Sequence, residues 1–216
     1  MKRFYQQELE AIRTKLILMG EKVNEVAHAA VQGFLEDDLE KLSQVIALDD
    51  MIDRLEAEID QASVRYVTLR SPVAMDVRFI LVAIKASHDL ERAGDEAEKI
   101  AFQAKKILKK DGISGETAAI GRMSQIANSM MQDAITALIE EDIQLAGEVI
   151  ARDKEVNRLN KDNFKFFSVR PESDKTENAT HFQKIFISKS VERIADHAKN
   201  LAEEVIYLLT GMQNLN

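Results

Sequence analysis

The chain has 216 residues, a formal net charge of −8 and no cysteine, which argues against nucleic acid as a primary partner and excludes disulfides and zinc–thiolate sites. Apolar residues at 45% and charged residues at 31% exclude wholesale disorder, and only two prolines and eight glycines predict long uninterrupted helices. Leu9, Ile12, Leu16, Met19, Val23, Val26 and Ala30 alternate three and four apart, the seam of a first long helix. Val45, Leu48, Ile52, Leu55, Ile59, Ala62, Tyr66 and Leu69 repeat the rule in a second. Arg70-Ser71-Pro72 breaks it, and a third helix is expected from about Val73 to Lys110. Lys109 to Gly115 reads as a linker. Ile120, Met123, Ala127, Met130, Ala134 and Ala137 mark a fourth helix, and a fifth is expected from about Asp142 to Ser168. The polar stretch Arg170 to Asn178, which holds Pro171, separates it from a sixth.

An acidic signature occurs twice. Ser87-His88-Asp89-Leu90-Glu91-Arg92-Ala93-Gly94-Asp95 lies in the third helix and Ser188-Lys189-Ser190-Val191-Glu192-Arg193-Ile194-Ala195-Asp196 in the sixth. Glu36-Asp37-Asp38 also lines up with Glu140-Glu141-Asp142, and Asp49, Arg54 and Leu55 with Asp153, Arg158 and Leu159. One three-helix unit has been duplicated. The expected fold is all-α, two tandem homologous three-helix bundles over residues 1–110 and 116–216. The opening Met1 to Glu8 lacks the apolar core of a signal peptide, and no stretch approaches a membrane span in length. A cytoplasmic, soluble protein is the expectation.

Each signature sets a Glu and an Asp four residues apart on one helical face, within a stripe of Val73, Val77, Ile80, Ile84 and Ser87 before them and Glu98 and Phe102 after. Unpaired charge in such a stripe is costly, so a bound cation is expected. The short connection at Pro72 makes helices two and three antiparallel and fixes which residues lie level. Asp49 and Asp95 are each 23 residues from Pro72, and Asp53 and Glu91 each 19. In the second half Asp153 with Asp196, and Asn157 with Glu192, share a midpoint between Asp174 and Lys175. Four carboxylates at one height need raised pKa values or cations. Oxygen ligands suit hard ions such as Mg²⁺, Ca²⁺, Mn²⁺ or iron, and the charge suggests more than one ion per site. Weighed singly, each acidic pair also fits a solvated helix face. His88, three residues before Glu91, reads as an extra ligand or a surface histidine, and Lys189 at its counterpart position favours the surface. Arg92 and Arg193 point away from the carboxylate stripe.

These residues resemble the PhoU family of phosphate-signalling regulators over essentially the whole chain. The resemblance rests on Glu91-Arg92-Ala93-Gly94-Asp95 and Glu192-Arg193-Ile194-Ala195-Asp196. It rests also on the helix entry Ser71-Pro72-Val73-Ala74-Met75-Asp76-Val77-Arg78 and the opening Glu8-Leu9-Glu10-Ala11-Ile12-Arg13. It implies two three-helix bundles whose acidic pairs, in some members, bind multinuclear metal clusters, often of iron. Carried over, the first metal site is Asp49, Asp53, Glu91 and Asp95, and the second is Asp153, Asn157, Glu192 and Asp196. Pro171 is only a degenerate counterpart of the Pro72 entry. The resemblance also implies a cytoplasmic negative regulator of phosphate uptake and of the phosphate-starvation response. Its implied partners are the ATPase subunit of the phosphate ABC transporter and a phosphate-sensing histidine kinase, with a homodimer as the expected assembly.

Two other functions stay in view. A PhoU-like accessory of a different phosphate permease has the same sequence features. A carboxylate-bridged di-metal oxidase would use Glu-x-x-His pairs, whereas Gly94 and Ala195 stand three residues after Glu91 and Glu192. No nucleophile–base set or nucleotide loop is present, so a non-enzymatic role is expected.

Overall fold

A computed structural model describes residues 2–109, 117–168 and 175–212. Six α-helices follow in order: α1 (Lys2–Leu35), α2 (Leu39–Arg70), α3 (Ala74–Leu108), α4 (Ala118–Glu140), α5 (Ile143–Ser168) and α6 (Lys175–Thr210). No strand occurs among the described residues. The expected linker between Asp111 and Gly115 and the loop holding Pro171 lie outside them.

The duplicated acidic triplets are turns. Asp37 and Glu141 both adopt left-handed backbone, with φ of 58° and 56°. The next residue in each, Asp38 and Asp142, sends its N–H back to the closing helix, to the Gly33 carbonyl at 2.9 Å and the Ala137 carbonyl at 3.0 Å. Its carboxylate then caps the following helix. Asp38 accepts from the Lys41 amide at 2.9 Å, and Asp142 from the Gln144 and Leu145 amides at 2.8 and 3.0 Å. Loss of such a cap costs about 1 kcal/mol. Asp38→Ala and Asp142→Ala should each lower unfolding stability by about that much, read from urea denaturation midpoints.

The α2–α3 hairpin is equally tight. Ser71 closes α2 with left-handed backbone (φ 46°), and the Asp76 carboxylate accepts from the Val73 amide at 3.4 Å to open α3. Only Ser71, Pro72 and Val73 separate the helices, so the register about Pro72 is set by the turn itself.

The seams of α1 and α4 are inside, with Leu9 alone in its series partly exposed. The α2 seam is only half inside. Val45, Ile52, Ile59 and Tyr66 are buried, Leu48, Leu55 and Ala62 are partly covered, and Leu69 is 57% exposed. The cause is position: α2 packs on α1 and α3 but on neither α4 nor α6, so a narrower stripe suffices. The central pair is α3 against α6, where Ala93, Ala97, Ala101, Ala195, Ala198 and Ala202 are fully buried and allow close approach. α1 also packs on α4, and one continuous apolar core runs through both repeats.

The α3–α6 contact carries a polar set with a two-fold likeness. Glu96, only 4% exposed, accepts from Arg193 at 3.0 Å. One repeat further on, His197 lies 2.9 Å from Asp89, which also accepts from Asn200 at 2.9 Å. Burial pushes the Glu96 carboxyl up, but hydrogen bonds from Ser190, Lys99 and Arg193 outweigh it and hold the group below its ordinary range.

Candidate metal centre

The first repeat gathers its acids along the line where α2 faces α3. Asp49 and Asp53 come from α2, Glu91 and Asp95 from α3, each pair one helical turn apart. Gly94 lets the two backbones close in, because a Cβ there would meet Ile52 Cδ1 at 3.0 Å. Asp49 lies near enough to Asp53 and Asp95, and Glu91 near enough to Asp53 and Asp95, for their charges to act on one another. Burial pushes the Asp49 carboxyl above the ordinary range, and the charges of Asp53 and Asp95 add to it. Burial likewise raises Glu91, with further contributions from Asp95, Glu56 and Asp53. Asp49, Glu91 and Asp95 lie half-buried and Asp53 is exposed, whereas Val73, Val77 and Phe102 of the expected apolar stripe are exposed.

Two more carboxylates belong to this cluster. Glu98 is raised by burial and then by Asp49, Asp95 and Asp53. Glu56 lies 3.2 Å from His88 Nδ1, and Glu56, His88 and Glu91 each offer a ligand atom within 4.8 Å of the others. Six carboxylates and one imidazole thus line a single hairpin, but among the described residues only Glu56, His88 and Glu91 bring ligand atoms within 4.8 Å of one another; the nearest ammonium, Lys99, is 3.7 Å from Asp95 and shared with Glu96 at 3.0 Å. The donor set fits multivalent cations: oxygen-rich, anionic and partly desolvated. Arg92 bonds to His88 at 3.1 Å rather than to a carboxylate.

The second repeat is built differently at the matching positions. Asp153, Glu192 and Asp196 are retained, but Asp53, Glu56, His88 and Glu98 give way to Asn157, Asn160, Lys189 and Lys199. The Asn157 amide donates to Asp153 Oδ2 at 2.8 Å, and Lys199 Nζ stands 4.0 Å from the same oxygen. Lys189 pairs with Glu192. Asn160 is committed elsewhere, accepting from Ser188 at 2.9 Å within a buried set that includes Asn163. Burial raises the Asp153 carboxyl, Lys199 opposes that, and Asp196 and Glu192 add to it.

Glu56 and Lys199 are the participants that sequence reasoning left out, and Glu98 was placed on the acidic face but not among the ligands. Glu56 and His88 were within reach, since each lies 16 residues from Pro72, the same mirror relation that paired the other acids. Of the remaining histidines, His28 meets Asn128 at 3.0 Å and His181 packs near Phe167. Neither has an acidic partner among the described residues.

Fold and site together define a duplicated helical-hairpin protein with an acidic pair facing its neighbour helix in each repeat. Comparison with known proteins agrees. The PhoU domain model matches residues 16–104 and again 120–205, one copy per repeat. A Pseudomonas aeruginosa protein named phosphate-specific transport system accessory protein PhoU homolog is 33% identical over 207 residues, 96% of this chain and 86% of that protein. A Clostridium acetobutylicum protein of the same name is 31% identical, covering 98% of this chain and 97% of its own length. The crystal structure of PhoU from Pseudomonas aeruginosa superposes with a TM-score of 0.92 at 33% identity, over 96% of this chain and 100% of that one. The chain belongs to the PhoU family.

Proposed function

We propose that the chain is an accessory protein of a phosphate-specific transport system that restrains phosphate uptake and the starvation response by contact rather than catalysis. The observation that carries this reading is the full-length match to relatives named for that accessory role. Its partners are the ATPase subunit of the phosphate ABC transporter and a phosphate-sensing histidine kinase. In this reading the chain acts at the cytoplasmic face through those partners; no helix among the described residues is long and apolar enough to cross a membrane.

A contact surface of suitable chemistry lies on the α5–α6 hairpin. Phe164, Phe182 and Phe186 are exposed there, and Phe182 and Phe186 stack edge-on at 5.5 Å. A cleft of about 440 Å³ runs between Phe164, Ile185 and Phe186, rimmed by Lys161, Lys165 and Lys189. On a chain of net charge −8 this local basic, aromatic groove suits an apolar helix flanked by carboxylates. The whole chain's negative charge disfavours an anionic lipid surface. The purified ATPase subunit should bind the wild-type chain, and Phe164→Ala with Phe186→Ala should weaken that binding by about tenfold or more. A subunit that fails to bind the wild type removes the partner; unchanged binding by the variant moves the surface elsewhere.

Hard metal cations, iron or Mn²⁺ foremost, belong to the first repeat in this reading, held by Asp49, Asp53, Glu91 and Asp95 with Glu56, His88 and Glu98 beside them. Bound metal would neutralise the crowded carboxylates and lock α2 onto α3. Asp49, Glu91 and Glu98 hold their protons more tightly than free carboxylates do. An ion must displace those protons, so apparent affinity should climb with pH through and somewhat above the carboxylate range. Calorimetric titration in two buffers of different ionisation enthalpy should show proton release on binding. A pH-independent affinity with no proton release would remove these three from the ligand shell.

A further inference from the structure

We infer that the second repeat carries its own cations, so that metal responsiveness is confined to the first repeat. The two hairpins descend from one unit, yet their charges differ at the matching positions. The first holds six carboxylates; the second holds three, with the ammonium groups of Lys189 and Lys199 in place of His88 and Glu98. Both lysines sit where a cation would. Lys189 is paired with Glu192, and Lys199 approaches Asp153 at 4.0 Å. Asp153 is the retained acid with the least solvent, 7% exposed; its Oδ1, buried without a hydrogen-bond partner, is an open ligand position of this hairpin. Its Oδ2 is held by Asn157, the amide that replaces Asp53. Asn160, the counterpart of Glu56, faces Ser188 rather than the acids. A multivalent ion entering this hairpin would have to displace two tethered ammoniums, and it would gain three anionic ligands instead of six. The donor set that fits metal in the first repeat does not fit it in the second.

The consequence is an asymmetric protein. The α5–α6 hairpin sets two ammonium groups of its own, Lys189 and Lys199, against its three carboxylates. In the α2–α3 hairpin Lys99, 3.7 Å from Asp95, offsets one of six carboxylates, and an external ion would neutralise the rest. Lys199 is therefore a positioning residue that holds α6 to α5 through Asp153, as the ion holds α3 to α2.

Mn²⁺ added to the full chain, with unbound ion removed by desalting and content read by elemental analysis, tests this directly. The wild type should retain Mn²⁺ at the first repeat alone. Glu192→Gln with Asp196→Asn should leave that content unchanged. Restoring the first repeat's chemistry by Asn157→Asp, Lys189→His and Lys199→Glu should roughly double it. Lys199→Glu alone should lower the melting temperature in chelator by several degrees, and Mn²⁺ should recover the loss. Wild-type Mn²⁺ that disappears in the Glu192→Gln, Asp196→Asn variant would overturn the inference. So would a Lys199→Glu protein that melts like the wild type and gains no Mn²⁺. A wild type retaining no Mn²⁺, beside a restored variant that binds it, would count against the metal reading of the first repeat while supporting the lysine substitution in the second.

Discussion

Converting Glu91 and Asp95 together to glutamine and asparagine should strip the chain of bound metal and at the same time stabilise the metal-free protein. The loss follows from removing two anionic ligands at the centre of the first hairpin, which should weaken binding by more than about a hundredfold. The gain follows from the raised acids. The folded state binds the Asp49, Glu91 and Glu98 protons more tightly than the unfolded chain does. Their contribution is therefore fully present below the ordinary carboxylate pKa and is lost as pH rises through the raised folded values. At neutral pH without metal the crowded carboxylates repel, and two amides of similar size relieve that repulsion. In chelator, melting temperature plotted against pH should fall less steeply for the double variant than for the wild type. With Mn²⁺ the order should reverse. A double variant that melts lower than the wild type in chelator, and still holds metal, would place the ions elsewhere.

Deleting the gene should switch on phosphate-starvation genes in phosphate-rich medium, the largest effect expected in the cell. Restraint by contact needs a partner through which to act, and the chain's negative charge makes direct DNA binding unfavourable. Deletion should therefore lose its effect when the sensor kinase is also absent. A reporter that stays silent at high phosphate in the single deletion contradicts the regulatory reading, whatever metal the protein holds. A reporter that stays active in the double deletion keeps the restraint but removes the kinase as its route.

How far the sequence can be read depends on whether a feature is local. Helix count and the α2–α3 register follow from a three-residue connection around Pro72, so the acidic pairs could be set level by counting alone. The duplicated turns were visible as Glu36-Asp37-Asp38 and Glu140-Glu141-Asp142, although their shared left-handed residue was not. Leu69 fits a helical period yet is exposed, because a period names a face and not the helix that covers it. The continuous core shared by the repeats was hidden for the same reason: the seams do not say that α3 meets α6. His88 is exposed, as its counterpart Lys189 suggested, yet it also reaches Glu56 at 3.2 Å, a cross-helix contact that a comparison of the two repeats does not reveal. Lys199 is one turn beyond Asp196, but its reach to Asp153 across two helices depends on their packing.

The account's central claim joins the metal hairpin to the restraint of the phosphate response, and one complementation measurement addresses both. The deletion strain would carry either the wild-type chain or the Glu91→Gln, Asp95→Asn variant at equal protein level, with a phosphate-starvation reporter read in phosphate-rich medium. The wild type should restore silence, and the variant, folded but without metal, should leave the reporter active. Full silencing by a variant shown to hold no metal would contradict the claim and leave contact without any part for the ion.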